Sequence, residues 1–264
     1  MDPSIAAAID NLDASSLAQL VNAPDAALQT DEDGQPPLIR ALFASNPDKP
    51  DESLAVLDVL LGAGADPAQP DGDGSSSLHV AASKLTLEPE FASIAFEALL
   101  QRLPQEPDLL RDAEGATPLA AVVGRVRASG GMVAPEGEAA VVQSTQLLID
   151  RGSSILGRSD AAAAASLSAS YNAGADAGGE AGSAPAATLL HEAAEWAPLE
   201  LLEALLLADD VESGMATADA YGDGPLQIAL AKGRRDIAAA ILAAFPLACE
   251  GPWAPGGGRL PANR

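Results

Sequence analysis

The stretch PLQIALAKGRRDIAAAIL, residues 225–242, decides how this chain is read. It runs from one apolar helix into a second, and it is entered through DAYGDGPL (219–226), a frame of the form Asp-x-x-Gly-x-x-x-Leu. The frame recurs as DEDGQPPL (31–38), DGDGSSSL (71–78) and DAEGATPL (112–119). A fifth segment, ATLLHEAAEW (187–196), keeps the helical half at Leu190 but lacks the preceding Asp and Gly. Gly34, Gly74, Gly115 and Gly222 are placed to supply the positive φ of a tight turn. Thr117-Pro118 reads as an N-cap followed by proline at the first helical position, with Ser76 and Thr188 as caps in their copies and Pro36 and Gly224 as poorer ones. Abundant alanine and leucine, with only 3% aromatic residues, favour helices over strands. Recurrence every few tens of residues is the signature of a repeat architecture.

Residues 225–242 resemble the ankyrin-repeat consensus nearly position for position. SLHVAA (77–82), TPLAAV (117–122) and LLHEAA (189–194) match its opening, while VLLGAGADP (59–67) and QLLIDRGSSI (146–155) match its closing turn. The resemblance covers about three quarters of the chain, as about six repeats with the first and fifth degenerate. It implies an all-α repeat solenoid of stacked helix–turn–helix units with short hairpin loops, and a non-enzymatic module that binds proteins through its concave, hairpin-bearing surface.

Spacing shows where the chain departs from the pattern, in which 15 positions separate the opening and closing leucines and 18 more reach the next opening one. Leu226 to Ile241, Leu190 to Leu205 and Ile5 to Leu20 each give 15. The first copy therefore starts near residue 1 without a hairpin, as a terminal cap would. Leu38 to Leu60 is 22, Leu78 to Leu99 is 21 and Leu119 to Leu147 is 28. The excess falls between the paired helices, in NPDKPDE (46–52), TLEPE (86–90) and ASGGMVAPEGE (128–138), where Pro and Gly are expected to break helices. Three neighbouring insertions should line one edge of the stack. Leu147 to Leu190 is 43, and most of that distance is a low-complexity Ala/Gly/Ser stretch. The expected organisation is repeats one to four over 1–157, a disordered loop over 158–187, repeats five and six over 188–246, and a disordered tail over 247–264 in which Trp253 could dock on the last repeat.

The net charge of −24, from 38 acidic and 14 basic residues, argues against direct contact with nucleic acid or an anionic membrane. A single cysteine, Cys249, excludes an internal disulfide framework, and the acidic N-terminus is unlike a signal peptide. An intracellular location, cytoplasm and/or nucleus, and a monomeric state are expected. His79 and His191 both occupy the histidine position of the frame, which in ankyrin repeats bonds the hairpin loop, so no metal site, cofactor or catalytic set is expected. DEDG and DGDG are not calcium loops, since the twelfth positions are Leu42 and Ala82. The cluster Lys232, Arg234 and Arg235 is expected to be a solvated face, and Trp196 a packing substitution.

Asp31, Asp71, Asp112 and Asp219 belong to the frame. The acids at the variable finger positions are additional, and with one aromatic they make the candidate partner-binding set: Glu32, Asp33, Asp73, Glu114, Tyr221 and Asp223. A row of negative charge on successive fingers favours a basic protein partner, such as a histone or ribosomal protein. The alternative is a regulatory or assembly subunit using the inserted edge around residues 44–52, 84–91 and 124–138.

Overall fold

A computed structural model describes residues 1–21, 26–156, 187–219 and 221–246. The expected loop at 158–187, apart from Ala187, and the expected tail at 247–264 with Trp253 lie outside the described residues, as does Ala220.

Among the described residues there are thirteen α-helices and no strands. They pair as α1 (Pro3–Asp10) with α2 (Ala14–Leu20), α3 (Pro37–Ala44) with α4 (Pro50–Gly62), and α5 (Ser77–Lys84) with α6 (Pro89–Arg102). The series continues with α7 (Pro118–Ala128) and α8 (Pro135–Asp150), then α9 (Leu189–Trp196) and α10 (Leu199–Leu205), and ends with α12 (Pro225–Ala231) and α13 (Arg235–Ala244). A short additional helix, α11 (Val211–Ala216), packs against α9. First helices stack on first helices and second on second, from α1–α3 and α2–α4 through to α9–α12 and α10–α13. This is an all-α repeat solenoid.

One continuous apolar core runs through the stack, from Ile5 and Ile9 to Ile237 and Ile241. Alanines such as Ala81, Ala82, Ala193 and Ala194 are fully buried where helices approach closely. The middle of the stack is filled by Phe91 and Phe96, and burying each side chain is worth roughly 2–3 kcal/mol.

Three local expectations change. Proline does not break the inserted segments: Pro50, Pro89 and Pro135 are the first residues of α4, α6 and α8. The missing N–H costs nothing there, because first-turn N–H groups have no intrahelical acceptor. The second helices accordingly grow to 13, 14 and 16 residues, against 7 in α10. The closing position of the fourth copy is Leu148 rather than Leu147. Ser153 N–H bonds the Leu148 carbonyl just as Ala65 N–H bonds Leu60, and Leu148 is fully buried. In the first copy Leu17 and Val21 are buried while Leu20 faces outward.

Repeats four and five stack directly, α7 on α9 and α8 on α10. Leu189 N–H donates to the Ile155 carbonyl at 3.1 Å, so the described residues on either side of 157–186 adjoin.

Candidate functional site: the hairpin fingers

The fingers are built by the frame aspartates. Asp71 Oδ1 accepts from the N–H groups of Asp73 (2.9 Å) and Ser75 (2.9 Å), while Asp71 N–H bonds the Ser75 carbonyl and Gly74 N–H the Asp71 carbonyl. The same four bonds recur around Asp31, Asp112 and Asp219. Asp31 also accepts from Arg40 at 3.0 Å. Burial works against its charge, but the Gln35 N–H and Arg40 outweigh this and hold its carboxyl below the usual range. Gly74 has φ +76° and lies against the next finger, where a Cβ would sit 3.1 Å from the Ala113 nitrogen. Only glycine meets both conditions without strain.

With the frame acid turned inward, the neighbouring side chains are free to project. Glu32, Asp33, Asp73 and Glu114 are all exposed. Their fingers touch: Ala113 N–H donates to the Asp73 carbonyl at 3.1 Å, and a Cβ on Gly72 would come within 3.7 Å of the Asp33 carbonyl. The structure therefore brings these four acids into one row. Arg111 borders its end, donating to the Gly115 carbonyl at 2.9 Å.

Tyr221 and Asp223 stand apart from that row. Their finger belongs to the repeat of α12, and α9 lies between it and α7. Tyr221 is exposed, but Asp223 is only partly so. Burial, followed by the charge of Asp219, raises the Asp223 carboxyl above its usual range.

The two histidines join each repeat to the finger that follows. His79 Nδ1 accepts from the Ser76 N–H (3.2 Å) and meets its Oγ (2.8 Å), while Nε2 lies 3.0 Å from the Ala116 carbonyl. A carbonyl can only accept, so Nε2 carries the proton and the ring is neutral. His191 repeats this with Thr188 and the Asp223 carbonyl at 3.2 Å. Desolvation lowers both histidine pKa values, against the smaller opposing pull of nearby acids and carbonyls. Gln227 takes the equivalent place in the last described repeat, where its Oε1 accepts from Gly224 N–H at 3.2 Å.

The basic cluster at 232–235 is not simply a solvated face. Arg234 donates to the Ala197 (2.7 Å) and Glu195 (3.3 Å) carbonyls at the end of α9, and Lys232 pairs with the buried Glu195. Arg151 caps α6 in the same way through the Leu100 carbonyl at 2.8 Å, and Arg102 caps α4 through Leu61 at 3.2 Å. Guanidinium groups suit these ends, where carbonyls lack partners and the helix dipole is negative. Trp196 is 41% exposed with Lys232 Nζ 5.9 Å from its ring centre, so it does not fill the core. Its carbonyl instead receives the inserted loop: a Cβ on Gly131 would lie 2.4 Å from the Trp196 oxygen.

The three insertions do share one edge. Lys84 donates to Ser45 (2.9 Å) and Glu88 (2.8 Å), Ser45 Oγ also lies 2.8 Å from Glu88, and Arg125 donates to Thr86 at 2.7 Å. Gly137, at the start of α8, packs on Leu85 and Thr86. Sequence reasoning missed Glu192 and Glu195, both buried on α9, the first lying 3.9 Å from Arg127. Among the described residues no group of His, Cys, Asp and Glu could hold a metal ion, and no helix is long and apolar enough to cross a membrane.

No family model and no curated protein matches the sequence. Solved structures do match. An ankyrin-repeat protein superposes over 90% of this chain and 96% of its own, at 15% identity with a TM-score of 0.59. An ankyrin-repeat domain from Acinetobacter baumannii covers 91% and 96%, at 19% identity with a TM-score of 0.61.

Proposed function

The chain has the ankyrin-repeat fold, and from that premise we propose that it is a non-enzymatic protein–protein interaction module whose acidic fingers bind a basic protein. The observation that carries this reading is the contiguous row of Glu32, Asp33, Asp73 and Glu114 on three touching fingers. These carboxylates are exposed and their fingers are braced by hydrogen bonds to the frame aspartates, which lowers the ordering cost of meeting a cationic surface. Both histidine rings are committed to structural hydrogen bonds, and catalysis has no part in the proposal.

The test uses the full chain with a core histone as the basic probe. Affinity is expected to fall at least about tenfold as salt rises from about 50 to 300 mM, since surface charge pairs are screened. The variant D33K/D73K/E114K should weaken binding by about tenfold or more at low salt. Salt-insensitive affinity, or a triple variant that binds like the parent, would sink the proposal.

A further inference from the structure

A second surface lies along the inserted edge. A groove of about 490 Å³ runs between the insertions of repeats two, three and four, walled by Pro47, Pro50, Leu87, Pro89 and Phe91. A second groove of about 410 Å³ continues it along α8 to Glu200 of α10, and the two share Ala139 and Gln143. The floor is largely apolar, and Leu87 is 66% exposed on it. The charged residues lining the grooves are Glu88, Glu90, Glu136, Glu138 and Glu200, with no Lys or Arg among them. Glu88 is matched by Lys84 at 2.8 Å.

Part of this charge has a structural reason. Glu90, Glu136, Glu138 and Glu200 occupy first turns of α6, α8 and α10, where the helix dipole favours an acid. That reason does not extend to the meeting of two acids. Burial, then a hydrogen bond and the charge of Glu200, push the Glu138 carboxyl above its usual range. A carboxyl pair of this kind, at one end of an apolar channel, suits a guanidinium or ammonium that would satisfy both groups.

We infer that this continuous groove is a docking site for an extended, arginine-containing segment of a partner protein, apolar side chains lying on Leu87 and Pro47 and arginines meeting Glu136, Glu138 and Glu200. The inference rests on the reading of the chain as an interaction module but not on the finger row, which is a separate surface. Charge complementarity selects the occupant: an acidic or neutral segment would leave the carboxylates facing apolar groups or like charge.

The experiment measures fluorescence anisotropy of a labelled Arg-Ala-Leu repeat peptide with the full chain at about 150 mM salt, beside its Glu-Ala-Leu counterpart. The arginine peptide should bind and the glutamate peptide should not. E136K/E138K/E200K should weaken binding about tenfold, and D33K/D73K/E114K, with the same change in net charge, should weaken it several-fold less. A139W fills the junction of the grooves without changing charge and should weaken binding comparably, with its helical circular dichroism matching the parent. No binding, equal loss in both triple variants, or loss only in the finger variant would each overturn the inference. So would tighter peptide binding by R259Q/R264Q, which would assign the groove to the chain's own tail. A dimer that dissociates on introducing A139W would assign it to a second copy, again overturning the partner reading. Failure here with a salt-sensitive, finger-dependent histone interaction would leave the finger proposal standing.

Discussion

Replacing His79 tests whether the repeats are joined as the geometry indicates. The ring is buried and makes three contacts: the Ser76 N–H, the Ser76 hydroxyl, and the Ala116 carbonyl of the next finger. In H79A, the Ser76 N–H and the Ala116 carbonyl lose this partner inside the stack. Each buried polar group left unsatisfied costs about 1–3 kcal/mol. Allowing for water entering the vacated space, the expected loss is about 3 kcal/mol in all. H79Q should cost less, because Gln227 already performs the Ser76-type contact on Gly224, although glutamine cannot reproduce the imidazole's two-sided reach. Urea titration at pH 7 would measure both as shifts in the midpoint at constant slope.

The same histidines predict a pH dependence with a definite sign. Burial lowers the folded-state pKa of His79 and His191 below the ordinary value of 6.5. The unfolded chain therefore binds more protons once pH drops through about 6.5, and stability falls with it until pH reaches the lowered folded values. Within that window each histidine contributes a slope of at most about 1.4 kcal/mol per pH unit. The double variant H79Q/H191Q should flatten the stability profile between pH 7 and the range where carboxylates begin to protonate. A loss below about 1 kcal/mol for H79A, or an unchanged profile in the double variant, would refute the assignment of these rings as neutral bridges.

Other substitutions separate structural groups from available ones. D71A removes the acceptor for two finger N–H groups and should cost about 1–3 kcal/mol by urea titration, whereas D73A, at the exposed tip, should stay within about 0.5 kcal/mol of the parent. G131A would place a Cβ 2.4 Å from the Trp196 backbone oxygen at φ +74°, so a loss of at least about 2 kcal/mol and a lower Tm are expected. R151M keeps much of the apolar stem but uncovers the Leu100 carbonyl, and should lose about 1–3 kcal/mol.

What could be read from the sequence was local. The Asp-x-x-Gly turns and the Thr117 cap depend on residues a few positions apart and appear as read, whereas the bond from His79 to the Ala116 carbonyl of the next finger, 37 positions away, followed from the ankyrin resemblance. Spacing also located the inserted edge. The errors arose where local patterns were degenerate or the partner was remote. Leu147, Leu148 and Ile149 offer two apolar pairs, and only the bond from Ser153 N–H to the Leu148 carbonyl fixes which closes the repeat. Proline in an insertion reads equally well as a breaker or as a first helical residue. Arg151 finds its acceptor 51 residues away, a relation without a local trace. The insertions that stretch repeats two to four also interrupt the regular period, yet the fold is recognisable in three dimensions at 15–19% identity.

The charge distribution divides by what the fold uses. Ten of the eleven bases in the described residues bond or pair with the chain's own groups. Three of them, Arg102, Arg151 and Arg234, reach with their guanidinium groups to the C-terminal ends of neighbouring helices, where about half an elementary negative charge resides. Conversely, Glu90 and Glu136 sit in first turns, where the dipole is positive. Asp33, Asp73 and Glu114 answer to neither end of a helix, and the hydrogen bonds that shape their fingers come from the frame aspartates instead. Neutralising Glu90 should therefore cost about 0.3–1 kcal/mol of stability, while neutralising Asp73 should cost almost none. If a basic partner binds at the fingers, the same D73N substitution should weaken that binding. A charge without a role in folding but with one in affinity would be evidence that the finger row exists for a partner.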